Sequence, residues 1–223
     1  MKRVLLNFAG FLNVLKQYHS LEQWLSWMDE LSDRDYLVID DFVRQDIYSD
    51  LRTYFLNKLP FFTKAGIGAL NENIIRHDIR GDHTFWLDRH RDGALDLFWQ
   101  LVDEAISIYN RYCYLSLSGY EFHFANYPPA TKYEKHLDQF NNRSNRIITV
   151  IIYLNKGWEQ GDGGELELFL KDGSTKMIKP VEARCVMFKS ADLPHRVLKA
   201  NKDRYSLTGW LLYQPSSLGQ FFG

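Results

Sequence analysis

Three side chains in this sequence are of the types that hold a redox metal. His136-Leu-Asp138 sets an imidazole and a carboxylate two residues apart, so on an extended segment both leave the same face. His195 follows much later, in Leu193-Pro-His-Arg-Val197. Two histidines and one carboxylate on one face of a non-haem iron(II) leave positions open for a chelating cosubstrate and for dioxygen. Arg204 begins the run Arg204-Tyr-Ser-Leu-Thr-Gly-Trp210, whose alternation puts Arg204, Ser206, Thr208 and Trp210 on a common face. A guanidinium near such a metal suits a carboxylate, which it grips bidentately. Tyr153 closes the run Ile147-Ile-Thr-Val-Ile-Ile-Tyr153, and its hydroxyl is placed to share that carboxylate.

Blander readings of each motif were weighed. A lone HxD is weak, and the chain carries a second one, His90-Arg-Asp92, which sits just ahead of an expected helix where Asp92 would serve as a cap. That copy also imitates the kinase HRD, but Leu97 stands where the loop needs Asn and no DFG follows. Gly66-Ile-Gly68 does not complete a GxGxxG, because Asn71 fills the last place. His19, His77, His83 and His123 read as ordinary surface or core histidines. A zinc hydrolase would want a helical HExxH, which is missing, and would leave Arg204 and Tyr153 without a task.

Helices are expected first and strands later. Ser20-Leu-Glu-Gln23 is a capping box, followed by Leu21, Trp24, Leu25, Met28 and Leu31 at helical spacing. Tyr36-Leu-Val-Ile39 is a short β-type run. Asp40 and Asp41 precede a second helical pattern, Val43, Ile47, Tyr48, Leu51 and Phe55, ended by Pro60. Residues 64–92 read as a long polar loop of functional character. Asp92-Gly93 opens a third helix with Leu97, Phe98, Leu101, Val102, Ala105, Ile106 and Tyr109 on one face. Then come β-type runs at 120–127, 146–154, 165–170, 185–188 and 204–213, separated by Pro128-Pro129, Gly161-Asp-Gly-Gly164, Asp172-Gly173 and Asn201. The order predicts an α+β domain, a jelly roll flanked by N-terminal helices.

Composition bounds the function. The 223 residues hold 45% hydrophobic and 25% charged side chains, enough for a proper core, and a formal net charge of -1 excludes a general nucleic-acid binder. No run approaches membrane-spanning length. The first fifteen residues hint at a signal peptide, but Asn7, Asn13 and Lys16 interrupt it and no small-x-small site follows. Cys113 and Cys185 are expected to be buried free thiols, and the protein to be cytoplasmic.

Several spaced motifs together resemble the prolyl 4-hydroxylase family of Fe(II)/2-oxoglutarate-dependent dioxygenases. They are Tyr127-Pro-Pro, Tyr133-Glu-Lys-His-Leu-Asp138, the run from Arg146 to Trp158, Gly163-Gly-Glu-Leu166, Pro194-His-Arg-Val197 and the run from Arg204 to Trp210. The branch most like it is that of the hypoxia-inducible-factor prolyl hydroxylases and their bacterial counterparts. The likeness extends from about Tyr36 to Tyr213. It implies a double-stranded β-helix, the cupin-like jelly roll, over 36–215, with 1–35 as a helical extension and 216–223 as a tail. It also implies iron on His136, Asp138 and His195, and the distal carboxylate of 2-oxoglutarate on Arg204 with Tyr153. Tyr127 and Thr208 would line the cosubstrate pocket, and Tyr133, Arg80, Asp82, Trp86 and Trp210 the substrate side. The implied reaction consumes dioxygen, with ascorbate as a further candidate cofactor, and yields 4-hydroxyproline in a protein or peptide, succinate and carbon dioxide. Translation factors and ribosomal proteins are candidate partners. The alternatives kept open are an oxygenase acting on another side chain or a free amino acid, and a non-enzymatic jelly-roll binding module. Gln139-Phe140 departs from the Asn-Pro of the animal enzymes. Trp210 stands where nucleic-acid demethylases carry a second arginine, and Arg204 where collagen-type enzymes use lysine.

Overall fold

The computed structural model describes residues 17–66, 80–139 and 145–213. Helix α1 (Leu21–Arg34) starts at the capping box: the Ser20 side chain accepts from Gln23 N, and the Gln23 side chain accepts from Ser20 N. Its Trp24, Met28 and Leu31 are buried at the predicted spacing. Strand β1 (Tyr36–Ile39) follows, then α2 (Gln45–Lys58). Asp40 and Asp41 lie outside α2. Arg44 occupies its N-cap without a side-chain bond, and Asp46 in the first turn supplies the negative charge that the helix start favours. A 3-10 turn over Leu59–Phe61 holds Pro60. A second, Gly93–Leu95, leads into α3 (Asp96–Cys113).

The strands form two sheets. With β2 (Thr63–Lys64), β3 (His83–Trp86), β4 (Gly119–Tyr127), β5 (Tyr133–His136), β6 (Arg146–Tyr153), β7 (Leu166–Phe169), β8 (Thr175–Ile178), β9 (Cys185–Lys189), β10 (His195–Val197) and β11 (Arg204–Leu212), the major sheet runs β1-β9-β6-β11-β4-β3-β2. The minor sheet runs β5-β10-β7-β8. Every pairing is antiparallel. This is the expected jelly roll.

The major sheet is buried on both faces, which is why β6 reads as an almost unbroken apolar run. Ile148, Val150 and Ile152 face α1, α2 and α3 and pack with Trp24, Phe55 and Phe98. Ile151 and Tyr153 point the other way, into a second core with Leu166, Leu168 and Phe188 between the sheets. The same alternation splits β11: Leu207 and Leu211 join the helical side, and Arg204, Ser206, Thr208 and Trp210 the intersheet side.

Three local expectations are corrected. The stretch 64–92 is not all loop: His83–Trp86 is a strand that adds to β4, from His83 opposite Asn126 to Trp86 opposite His123. Residues 67–79, with His77, lie outside the described residues, as do 1–16 and 214–223. Asp92 takes the N-cap position of the 3-10 turn Gly93–Leu95 as expected, but its side chain makes no cap bond. Its buried carboxylate instead accepts from Asp88 N, Arg91 and the Tyr54 hydroxyl, which fixes the turn ahead of α3. Cys185 is buried as predicted, but Cys113, at the end of α3, is exposed; both are free thiols.

Candidate active site

The three expected metal ligands converge. His136 is the last residue of β5, and its partner in the minor-sheet ladder is His195, the first residue of β10. Asp138 lies past the end of β5, in a bend, rather than on the strand that the HxD spacing suggests. That bend aims its carboxylate between the imidazoles: Oδ1 is 3.7 Å from His136 Nε2 and Oδ2 is 3.7 Å from His195 Nε2. One ligand atom from each residue lies within 4.8 Å of the others.

The ring orientations have local causes. His136 Nδ1 donates to the Glu134 carbonyl at 2.8 Å, and His195 Nδ1 to the Leu193 carbonyl at 3.2 Å. These bonds fix the tautomers and leave both Nε2 lone pairs facing Asp138. Tyr133 stacks on the His136 ring at 3.7 Å, and Phe188 meets the His195 ring edge-on at 4.7 Å. Burial, then the neighbouring His195, push the His136 imidazole well below its ordinary range, so it is neutral and ready to ligate. For Asp138, burial raises the carboxyl, but the two histidines and a hydrogen bond from Thr149 outweigh it and hold the group below its ordinary range. Thr149 Oγ1 donates to Asp138 Oδ2 at 2.7 Å and lies 2.9 Å from Ser190 Oγ. Arg146 donates to the Asp138 carbonyl and to Glu121, with its guanidinium 3.4 Å above the Trp210 ring. A neutral His136 imidazole, a second imidazole from His195, an ionised carboxylate and three anchored side chains suit a divalent first-row metal.

Deeper on the same inward face sits Arg204, only 3% exposed. Its ladder partner is Tyr127 on β4, while Ser206 faces Tyr153 on β6, so the register alone brings both tyrosines to the guanidinium. The guanidinium carbon is 4.9 Å from the Tyr127 ring and 5.0 Å from the Tyr153 ring. Nε donates to the Gly164 carbonyl at 2.7 Å and an outer nitrogen to Ser206 Oγ at 3.3 Å. No carboxylate among the described residues pairs with it. The Tyr153 hydroxyl is buried without a hydrogen-bond partner. Gly164 has φ +74° and a Cβ there would meet Arg204 Cδ at 2.8 Å, so glycine is needed for the chain to pass this close. A buried cation beside an orphaned hydroxyl fits a carboxylate, so the pocket suits the distal end of a diacid. Thr208 is reached through Ser206, its Oγ1 3.3 Å away.

The remaining predicted residues pack around Tyr133 and His123. Arg80 and buried Asp82 form a two-point pair at 2.6 and 2.8 Å, with Arg80 4.7 Å over the Tyr133 ring. Trp86 is half exposed and Trp210 buried. Sequence reasoning missed the supports Thr149 and Ser190. Thr149 carries a faint signal as a polar residue inside the apolar β6 run. It also missed His123. That residue faces inward beside Trp86 and Trp210, 4.8 and 5.5 Å from their rings, with Nδ1 buried and without a hydrogen-bond partner among the described residues. Burial, then Arg80 and Arg146, hold the His123 imidazole well below its ordinary range, hence neutral.

A jelly roll with this His-Asp-His cluster and a buried arginine beside it defines an oxygenase of the iron and 2-oxoglutarate class. Residues 122–212 match the model of the 2OG-Fe(II) oxygenase superfamily. The fold superposes on a Pseudomonas putida prolyl-4-hydroxylase with a TM-score of 0.78 and 31% identity, over 86% of this chain and 100% of that one. It also superposes on a Trichoplax adhaerens prolyl hydroxylase, solved with a peptide fragment of the hypoxia-inducible factor oxygen degradation domain. There the TM-score is 0.77 at 27% identity, over 86% and 90% of the two chains. In sequence, the chain is 32% identical over 145 residues to the hypoxia-inducible factor prolyl hydroxylase of Caenorhabditis elegans, covering 60% of this chain and 20% of that protein. It is 30% identical over 190 residues to human Egl nine homolog 1, covering 78% and 42%. The chain therefore spans less than half the length of these two curated relatives. It belongs to the 2OG-Fe(II) oxygenase superfamily and is similar to prolyl hydroxylases within it.

Proposed function

We propose that this protein hydroxylates a prolyl residue of a protein or peptide at the 4-position, using iron(II), 2-oxoglutarate and dioxygen and releasing succinate and carbon dioxide. The observation that carries this reading is the juxtaposition of the His136–Asp138–His195 cluster with a buried arginine, Arg204, that has no carboxylate partner among the described residues. Iron(II) bound there supplies the coupling of 2-oxoglutarate decarboxylation to insertion of an oxygen atom into an unactivated C–H bond.

The chain's own residues do the rest. His136, Asp138 and His195 would hold the metal, which would then take up the cosubstrate and dioxygen. Arg204 takes the distal carboxylate of 2-oxoglutarate and the Tyr153 hydroxyl donates to it, with Tyr127 and Thr208 walling the pocket. Thr149 keeps the Asp138 carboxylate turned to the metal. Leu166, Leu168 and Phe188 keep the intersheet space dry, which strengthens each of these charge interactions. Tyr133, Arg80, Asp82, Trp86 and Trp210 present the prolyl substrate.

No helix among the described residues is long and apolar enough to cross a membrane. The two free thiols support a cytoplasmic setting, where a translation factor or ribosomal protein is the partner to test first. Ascorbate would act by keeping the metal ferrous. Succinate release measured with and without proline-containing peptides tests the reading, together with a proteome-wide search for one added oxygen on proline in a knockout against its parent. His136→Ala and Asp138→Ala should each abolish turnover in a folded protein, and full activity in both would refute the metal assignment. Succinate release with the oxygen found on another residue type would transfer the activity to a different substrate.

A further inference from the structure

We propose that His123 hydrogen-bonds the substrate's peptide backbone and so selects a polypeptide over a free amino acid. The inference rests on the prolyl hydroxylase reading and deepens it. His123 is 3% exposed, and its Nδ1 is buried without a hydrogen-bond partner. An orphaned buried polar atom is uncommon and calls for an explanation.

Its position supplies one. On the inward face of β4, Tyr127 lies opposite Arg204, and His123 lies opposite Thr208 on one side and Trp86 on the other. Half-exposed Trp86 beside it makes this end of β4, and not the Arg204 end, the side open to a polypeptide. The ring packs beside two indoles, at 4.8 and 5.5 Å, which also touch each other at 6.2 Å. Flat apolar walls suit a prolyl ring, and a peptidyl proline brings a carbonyl and the next residue's N–H but no N–H of its own. The nearby charges are already matched, Arg80 with Asp82 and Arg146 with Glu121, so this end offers little to the ammonium and carboxylate of a free amino acid. The desolvation of Nδ1 is borne on folding, so a substrate bond to it is pre-organised.

The test uses acetylated, amidated nonapeptides with a fixed central proline and random flanks, with free L-proline as comparison. The peptide that gains oxygen fastest then serves for kinetics on the wild type, His123→Leu and His123→Asn. Leucine should raise the peptide KM about tenfold, the scale of one lost hydrogen bond to a buried group, while 2-oxoglutarate affinity stays within about twofold. Asparagine, which keeps a polar atom near the Nδ1 position, should recover most of that loss. An unchanged peptide KM in the leucine variant would overturn the proposal. So would an asparagine variant as impaired as leucine, or an equal loss of 2-oxoglutarate affinity. A wild type that releases succinate yet modifies no prolyl peptide would remove the parent reading instead, and the proposal with it.

Discussion

Replacing Arg204 by methionine should separate function from stability. In the protein without cosubstrate the guanidinium is buried, has no carboxylate partner among the described residues, and makes two hydrogen bonds, to the Gly164 carbonyl and to Ser206 Oγ. Burying an unpaired charge costs several kcal/mol. Hydrogen bonds from a charged donor return about 1.5–3 kcal/mol each. The two contributions nearly cancel, and methionine fills much of the same volume without the charge. The free protein should therefore change by no more than about 2 kcal/mol in either direction, a Tm shift of roughly 4–8 °C at most for a chain of this size. Cosubstrate binding is a different matter. A diacid would lose a two-point, charge-assisted grip worth about 3–6 kcal/mol, which is on the order of a hundred- to ten-thousand-fold in affinity. Urea denaturation measures the first quantity, and calorimetric titration of 2-oxoglutarate with Mn(II) in the metal site measures the second. A variant that binds 2-oxoglutarate within tenfold of wild type would refute the anchor. A loss of 4 kcal/mol or more in the free protein would make Arg204 a structural cation instead.

The same neighbourhood gives further expectations. Gly164→Ala puts a Cβ 2.8 Å from Arg204 Cδ at φ +74°, so stability should fall by about 1–3 kcal/mol and 2-oxoglutarate affinity should fall with it, read by denaturation and titration of one sample. Thr149→Val keeps the shape but removes the donor to Asp138 Oδ2, so metal affinity should drop about 10–100-fold with little change in the fold, seen by competition against a chelating dye. Far from the site, the buried Glu104 carboxylate accepts from Tyr18 N, His19 N and Trp24 Nε1. Glu104→Ala strands these three donors and should cost about 3 kcal/mol or more. Amide exchange over residues 17–24 should accelerate while 2-oxoglutarate affinity holds; protection equal to wild type would show that the carboxylate does not tie this segment down.

The chemistry was more legible in the sequence than the scaffold that delivers it. His136, Asp138, His195 and Arg204 stand out because their types are costly to bury without a purpose, and alternation along β11 was enough to place Arg204, Ser206, Thr208 and Trp210 together. The strands that carry the histidines were harder to read. β10 has only three residues and β5 four, too short for a period to declare itself, and both are fixed by ladder partners far away in sequence. β3 hides in a polar stretch because Asp82, Thr84 and His83 are polar residues that tertiary contacts bury or half-bury. His123 was indistinguishable from any core histidine. What sets it apart is an unpartnered Nδ1 on the inward face of β4 beside Trp86 and Trp210, a property of the surroundings and not of the residue.

β11 shows how little freedom the site has. Its inward face carries Arg204, Ser206, Thr208 and Trp210, and its outward face carries Leu207 and Leu211 into the helical core. A slip of one residue would exchange the two faces, burying Arg204 among aromatic side chains and turning leucines toward the metal. Gly209 pins the register. A Cβ there would meet the Phe122 ring at 2.1 Å and the Glu121 carbonyl at 2.3 Å, so this position alone on β11 admits the close approach of β4. Phe122 is itself held edge-on by Phe98 of α3, 5.1 Å away. The helix behind the sheet is thus linked, through Phe98 on Phe122 and Phe122 on Gly209, to the β11 register that puts Arg204, Ser206, Thr208 and Trp210 on the inward face.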